Sequence, residues 1–261
     1  MKLINLSRKK LAKISLIAII LVCTIGVFHQ GIFKAADKSI GVLVQNQDLK
    51  PIYFVDTKEK KVAISFDATW GAEFTPKLLE TLEKHKIKTT FFLTNIWLKD
   101  YPDVAKTIAE KGHEIGMHSV THPHLNNLSE NQVLEELQGN ANLIKEITGY
   151  EAKVFRPPFG EYNNKVISII NNAGYYPIQW SIDSLDWKNN MTENDIIERV
   201  TKKLHPGAIV LFHNNGAFTA AALENIIEYA VKEGYEIIPV SDLIYKDNYT
   251  VDIQGAQKSN K

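Results

Sequence analysis

From residue 62 to residue 240 the chain repeats one pattern. A short apolar run rich in β-branched and aromatic residues is followed by a stretch of helical periodicity, and a polar break then precedes the next apolar run. Few folds satisfy such an alternation. Each strand is separated from the next by a helix long enough to cross back over the sheet, so the pattern predicts an α/β chain with a mostly parallel sheet and right-handed crossovers. Strands are expected at 62–66, 89–93, 113–118, 154–155, 176–182, 208–212 and 237–240. Helices are expected between them at 76–86, with Leu78, Leu79 and Leu82 on one face, and at 103–111, 165–172 and 218–232. Ser129-x-x-Gln132 reads as a capping box opening a long helix, and Thr192 as the cap of another that runs to Leu204. Some seven strand–helix units favour a barrel over an open sheet, though periodicity alone leaves both open, and no repeat or low-complexity segment interrupts the series, so one domain is expected.

The ends of the chain read differently. Lys2, Arg8, Lys9, Lys10 and Lys13 stand in the first thirteen residues without an acid, and residues 14–28 are almost wholly apolar. That order predicts an export signal or an uncleaved membrane anchor within 1–35, with membrane contact through 14–28 if it is retained. Either way the body of the protein is expected outside the cytoplasm. The chain has no net charge overall, so the part beyond the cationic start carries a formal excess of five acids, which argues against nucleic acid as a partner. Cys23, the only cysteine, lies in the apolar segment, so the exported part has no disulfide and must rely on an ordinary core. Residues 36–57 suggest a hairpin lead-in with arms at 40–44 and 52–55, and 246–261 a loose polar tail.

In a parallel barrel, reactive groups collect at the C-terminal ends of the strands. Here the expected strands end in Asp67, in His118 and His122, in Arg156-Pro157-Pro158-Phe159-Gly160, in Asp183-Ser184-Leu185-Asp186-Trp187 and in His213. Each alone has an ordinary explanation: Asp67 could cap a turn, Arg156 form a surface ion pair, Trp187 fill the core, and His213 be a satisfied core histidine. Five polar endings on one rim are harder to explain that way. His118 and His122 can reach a single ion if the backbone between them turns tightly, since neutral imidazole is the commonest protein ligand for zinc and related metals. Ser119, Thr121 and Pro123 suit a loop, which separates this spacing from the helical two-histidine pattern of metalloproteases.

Ser65-Phe66-Asp67, His118-Ser119-Val120-Thr121-His122, Arg156-Pro157-Pro158-Phe159-Gly160, Asp183-Ser184-Leu185-Asp186-Trp187 and Leu211-Phe212-His213 resemble, in order, the five motifs of polysaccharide deacetylases with the NodB homology domain, carbohydrate esterase family 4. Phe66-Asp67-Ala68-Thr69-Trp70-Gly71 looks most like the sporulation-associated branch found in spore-forming Firmicutes. The resemblance covers residues 58–245 and implies a distorted (β/α)7-type barrel that removes N-acetyl groups from amino sugars of peptidoglycan or a related cell-wall glycan. It also implies one divalent metal ion, zinc by preference, held by His118 and His122. Asp67 would be the general base, oriented and kept ionised by Arg156. His213 would protonate the leaving amine, with Asp186 fixing its tautomer. A backbone N–H near Phe159 would help stabilise the oxyanion, and Phe159 and Trp187 would wall the acetyl methyl group. A monomer is expected.

One position departs from the family pattern. Its first motif usually carries two successive aspartates, the second a metal ligand, and here the second is Ala68. Three protein ligands plus water is the ordinary arrangement of catalytic zinc, so two imidazoles should hold the ion more weakly. Glu73 or His124 could substitute. The sequence therefore leaves two functions open, a metal-dependent deacetylase and a catalytically weak or inactive wall-glycan binder. A glycosidase built on Asp67 and Asp186 would leave both histidines and Arg156 unexplained.

Overall fold

The computed structural model describes residues 48–261, and the expected signal or anchor at 1–35 lies outside them. Among the described residues no helix is long and apolar enough to cross a membrane. The sheet at the centre contains β2 (Lys61–Ala68), β3 (Thr90–Leu93), β4 (Glu114–Met117), β5 (Val154–Phe155), β6 (Tyr176–Pro177), β7 (Ile182–Asp183) and β8 (Ile209–His213). Its order is β6-β5-β4-β3-β2-β8-β7, with every pair parallel. Helices Thr75–Lys84, Pro102–Glu110, Glu130–Thr148, Asn164–Asn172, Glu193–Thr201 and Thr219–Lys232 follow strands in the expected alternation. The capping box of Ser129 with Gln132 is present, and that helix ends on Gly149 in the left-handed conformation. Thr192 caps its helix as read, but the helix stops at Thr201.

β2 is buried along nearly its whole length because both of its faces are covered, which is why it reads as a continuous apolar run. Pleating sends alternate residues to opposite sides. Phe66 joins Phe91 and Phe212, its registered neighbours, in one aromatic layer, with ring centroids 4.9 Å and 5.8 Å away. The next residue, Asp67, is registered with Phe92 and His213 and faces the other way, into the curl of the sheet. Register alone thus brings Asp67 and His213 side by side at the end of adjacent strands.

The sheet curls without becoming a closed ring of paired strands. The expected strand 176–182 is instead divided into two short strands with different partners: Ile178 N donates to Phe155 O at 2.9 Å, and Ser181 N to Ile209 O at 3.1 Å. β6 and β7, the two ends of the sheet path, are successive pieces of this run, so the curl returns on itself through the covalent chain. Ile52 lies against the run, bridged to Ile178, and Phe54 is bridged to Ala208. The second arm of the expected hairpin lead-in therefore packs along this seam, and its first arm, 40–44, lies outside the described residues.

Two further expectations are corrected at the C-terminal end. The last barrel strand is only β9 (Glu236–Ile237), paired with the start of β2, because Pro239 begins the short helix Val240–Leu243. The tail is not loose. β10 (Tyr249–Val251) and β11 (Ala256–Ser259) form an antiparallel pair, and β11 adds to β1 (Phe54–Val55) in parallel. Its polar composition hid this because the pairing is carried by backbone groups and by Gln257, buried with its amide bonded to the Tyr245 backbone.

Gly207 fixes how closely the seam can pack. It has φ of 76°, and a β-carbon there would stand 1.8 Å from the Val55 carbonyl oxygen. Gly207→Ala should lower stability by roughly 2–4 kcal/mol, the sum of left-handed strain and overpacking, as read by urea unfolding. A loss below about 0.5 kcal/mol, the scatter of ordinary surface substitutions, would show that the seam is not close-packed.

Candidate active site

Asp67 and Arg156 form a buried ion pair at the C-terminal end of the sheet. Arg156 Nη1 donates to Asp67 Oδ1 at 2.7 Å, and Nη2 to Ser65 Oγ at 2.9 Å and to the Gln179 carbonyl at 3.2 Å. The guanidinium lies over the Phe92 ring at 4.0 Å, and the Arg156 side chain is fully buried. Burial alone would raise the Asp67 pKa. The charges of Arg156, His118 and His213 and the Arg156 hydrogen bond outweigh it and hold the carboxyl below its usual range, so Asp67 is ionised at neutral pH.

His118 is held on both sides. Its Nδ1 donates to the Arg156 carbonyl at 2.7 Å, which fixes the tautomer and leaves the lone pair of Nε2 directed into the site, 3.6 Å from Asp67 Oδ2. His122 follows through a tight turn in which Ser119 and His122 both have positive φ, 82° and 55°. The two imidazole centroids lie 5.0 Å apart. Trp70 and Phe159 also pack edgewise on His122, at 5.3 Å and 4.4 Å. Burial, reinforced by His118, pushes the His122 pKa down to about 4, and burial also lowers that of His118. Both rings are therefore neutral at neutral pH, the form that offers a lone pair to a metal.

His213 faces these groups from the neighbouring strand. Asp186 accepts from His213 Nδ1 and from its backbone N, each at 2.8 Å, and from Thr219 Oγ1 at 2.6 Å. Burial lowers the His213 pKa, but the Asp186 hydrogen bond and charge, with Asp67 and Asp183 behind them, raise it above the ordinary value. Gly216 is needed beside this pair, since a β-carbon there would stand 2.1 Å from Thr219 Oγ1 and 2.9 Å from Asp186 Oδ2.

These groups open into a cavity of about 430 Å³. Asp67, His118, His122, Phe159, Trp187 and His213 line it, while Arg156 and Asp186 stand buried behind it. Phe159 and Trp187 are more than half exposed on the rim. Trp70 and Trp180 also line the cavity and were not singled out by the sequence reading. Trp70 was visible beside Asp67, whereas Trp180 looked like an ordinary strand residue. Asn140 and Thr219 were missed as well. Their signal was a polar residue on an otherwise inward-facing position, which periodicity alone does not interpret.

Neither suggested replacement for the second aspartate, His124 or Glu73, lines the cavity. Ala68 is fully buried among apolar residues. His124 instead stacks on the Phe159 ring and pairs with Glu161 at 2.9 Å, and the Glu73 carboxylate lies against Gly71. Among the described residues, a three-membered group of potential ligands occurs at His85, Glu224 and Glu228. It is remote from the cavity, because His85 ends the helix after β2 and so lies at the opposite rim. Glu224 there is already paired with Lys84.

The family model for polysaccharide deacetylases matches residues 54–178. The chain is 33% identical to the peptidoglycan-N-acetylmuramic acid deacetylase PdaA of Bacillus subtilis (strain 168) over 81% of each chain. It is 31% identical to a peptidoglycan-N-acetylglucosamine deacetylase of Bacillus cereus, over 77% of this chain and 98% of that one. Among solved structures it is similar to wild-type BA3943 of Bacillus anthracis, described as a CE4 family pseudoenzyme, with TM-score 0.72, 33% identity and coverage of 78% of this chain and 71% of the other. A mutant of BA3943 described as having restored enzymatic activity matches equally well, with TM-score 0.72. On these similarities the chain belongs to the polysaccharide deacetylase family, the hydrolases of carbohydrate esterase family 4.

Proposed function

We propose that the protein is a metal-dependent N-deacetylase of peptidoglycan or a related N-acetylated cell-wall glycan. The observation that carries this reading is the pairing, at one cavity, of a carboxylate whose pKa is held below its usual range with an imidazole whose pKa is held above its own. A base and an acid pushed apart in pKa are what amide hydrolysis requires. The similarity to peptidoglycan deacetylases supports the choice of glycan.

The donor set suits a zinc-like ion, with two neutral imidazoles aimed into the cavity beside an ionised carboxylate, though with fewer protein ligands than usual at such sites. His118 and His122 would hold it. Once bound, a divalent ion polarises an amide carbonyl and lowers the pKa of water. Asp67 takes the proton of the attacking water, and Arg156 keeps Asp67 in the basic form and in position. His213 delivers its Nε2 proton to the amine as the C–N bond breaks, while Asp186 supports the imidazolium through Nδ1. The amide of Phe159 would help stabilise the oxyanion, and Phe159 and Trp187 supply apolar surface for the acetyl methyl. In the cell we assign this activity to the outer side of the membrane and to sporulation, on the export-type segment at 1–35 and the form of residues 66–71. The protein would act as a monomer.

A second reading, a glycan binder without turnover, is favoured by Ala68 together with the similarity to BA3943. The base, the acid and their buried supports have no evident use in such a protein.

Two variants test the assignment. Asp67→Asn should reduce acetate release about 10²–10⁴-fold. It should also cost stability, roughly 3 kcal/mol, because it leaves the Arg156 charge buried without its partner. Near-normal turnover in this variant would remove Asp67 as the base. Asp186→Asn should move the alkaline limb of kcat/KM down by about one pH unit. The sign follows from His213: its raised pKa keeps the acid form present to higher pH, and Asp186→Asn takes away the largest of the influences that raise it. An unmoved limb would exclude His213 as the acid.

A further inference from the structure

The turn that carries His118 and His122 is built almost entirely on side-chain hydrogen bonds. Its two positive-φ residues, Ser119 and His122, are not glycine, and such a backbone persists only where its surroundings impose it. Asn140 Oδ1 accepts from His118 N at 2.8 Å and from Ser119 N at 3.1 Å. Glu136 Oε2 accepts from Val120 N at 2.7 Å and from Thr121 N at 2.8 Å, while Oε1 accepts from Thr121 Oγ1 at 2.7 Å. Ser119 Oγ accepts from His122 N at 3.0 Å. Each amide from His118 to His122 thus donates to a side chain.

Glu136, Gly139 and Asn140 lie on one face of the helix Glu130–Thr148, at the i, i+3, i+4 spacing. Gly139 is where the turn touches that face, since a β-carbon there would stand 2.9 Å from Val120 Cγ2. Asn140 is tied inward as well, donating to the Leu93 carbonyl and to Asn95 Oδ1, so its loss would disturb the core. The hydrogen bonds of Glu136 go to the turn, and its side chain is only half-buried.

We propose that Glu136 is a positioning residue for metal binding. Its carboxylate gathers the amides of Val120 and Thr121 and so sets the turn that points His118 and His122 at one ion. At a site where Ala68 supplies no ligand, this preorganisation takes the place of a third protein donor. The inference rests on the metal-dependent reading given above, and it concerns the geometry of the turn and no change of protonation.

Zinc binding to the full chain, measured by competition with a chromogenic chelator, tests it, with urea unfolding of the metal-free variants alongside. Glu136→Ala should weaken zinc by about 10–100-fold, and Glu136→Gln, which keeps an acceptor oxygen for both amides, should stay within about threefold of wild type. In the Ala variant the visible spectrum of bound cobalt should also change, a readout that a loss of stability alone would not move. Wild-type affinity in Glu136→Ala, or an equal loss in Glu136→Gln, overturns the proposal. If Glu136→Ala does not fold, Glu136→Asp carries the same test: the charge is kept, the reach is one methylene shorter, and undiminished affinity overturns the proposal. A wild-type chain that binds no zinc overturns the metal-dependent reading itself, an outcome distinct from a wild-type site that binds zinc without needing Glu136.

Discussion

The buried pair of Arg156 and Asp67 is the interaction on which the rest of the site depends. Arg156 joins three segments through its side chain alone: β2 through Asp67 and Ser65, the partner-changing run through the Gln179 carbonyl, and β3 through the ring of Phe92. Its carbonyl receives His118 Nδ1 and so orients the first imidazole. A guanidinium in so dry a place is tolerable only because its charge is matched and its donors are largely taken. Lysine could not make the same set, having neither the planar fork nor the flat face that packs on Phe92. This one side chain therefore closes the curl of the sheet at the place where it also holds the Asp67 carboxylate ionised.

From that pair the division of labour follows. Asp67 is the residue whose charge the site favours, and His213 the one whose proton the site favours, because Asp186 lies behind it and Asp67 beside it. The two imidazoles next to Asp67 are kept neutral by burial. Ala68 weakens only one part of this design. On the proposed reading it removes a donor to the ion and leaves Asp67, His213 and the supports of both in place.

Much of this was legible in the sequence where one local rule decides the outcome. The apolar runs gave the strands, Ser129 and Thr192 gave helix starts, and polar residues directly after strands gave the rim. Pairing was harder to read. Nothing local in residues 176–182 says that the run leaves β5 for β8 halfway along, and nothing in the polar tail says that it pairs with Phe54–Val55, because both depend on backbone groups of distant segments. The supports of the site were hidden for the same reason. Glu136 and Asn140 look like unremarkable helix residues until the turn at His118–His122 is folded against them. A rule about spacing finds the groups that do chemistry, but seldom those that hold them still.

The claim at the centre of this account is that the chain turns over its glycan and does more than bind it. Mass spectrometry of muropeptides released from peptidoglycan after incubation with the zinc-loaded full chain addresses that claim directly. The account predicts amino sugars that have lost their acetyl group, accumulating with time and absent when the metal is chelated. Fully acetylated muropeptides from a chain that nonetheless sediments with the wall would contradict it and leave a binding protein in its place.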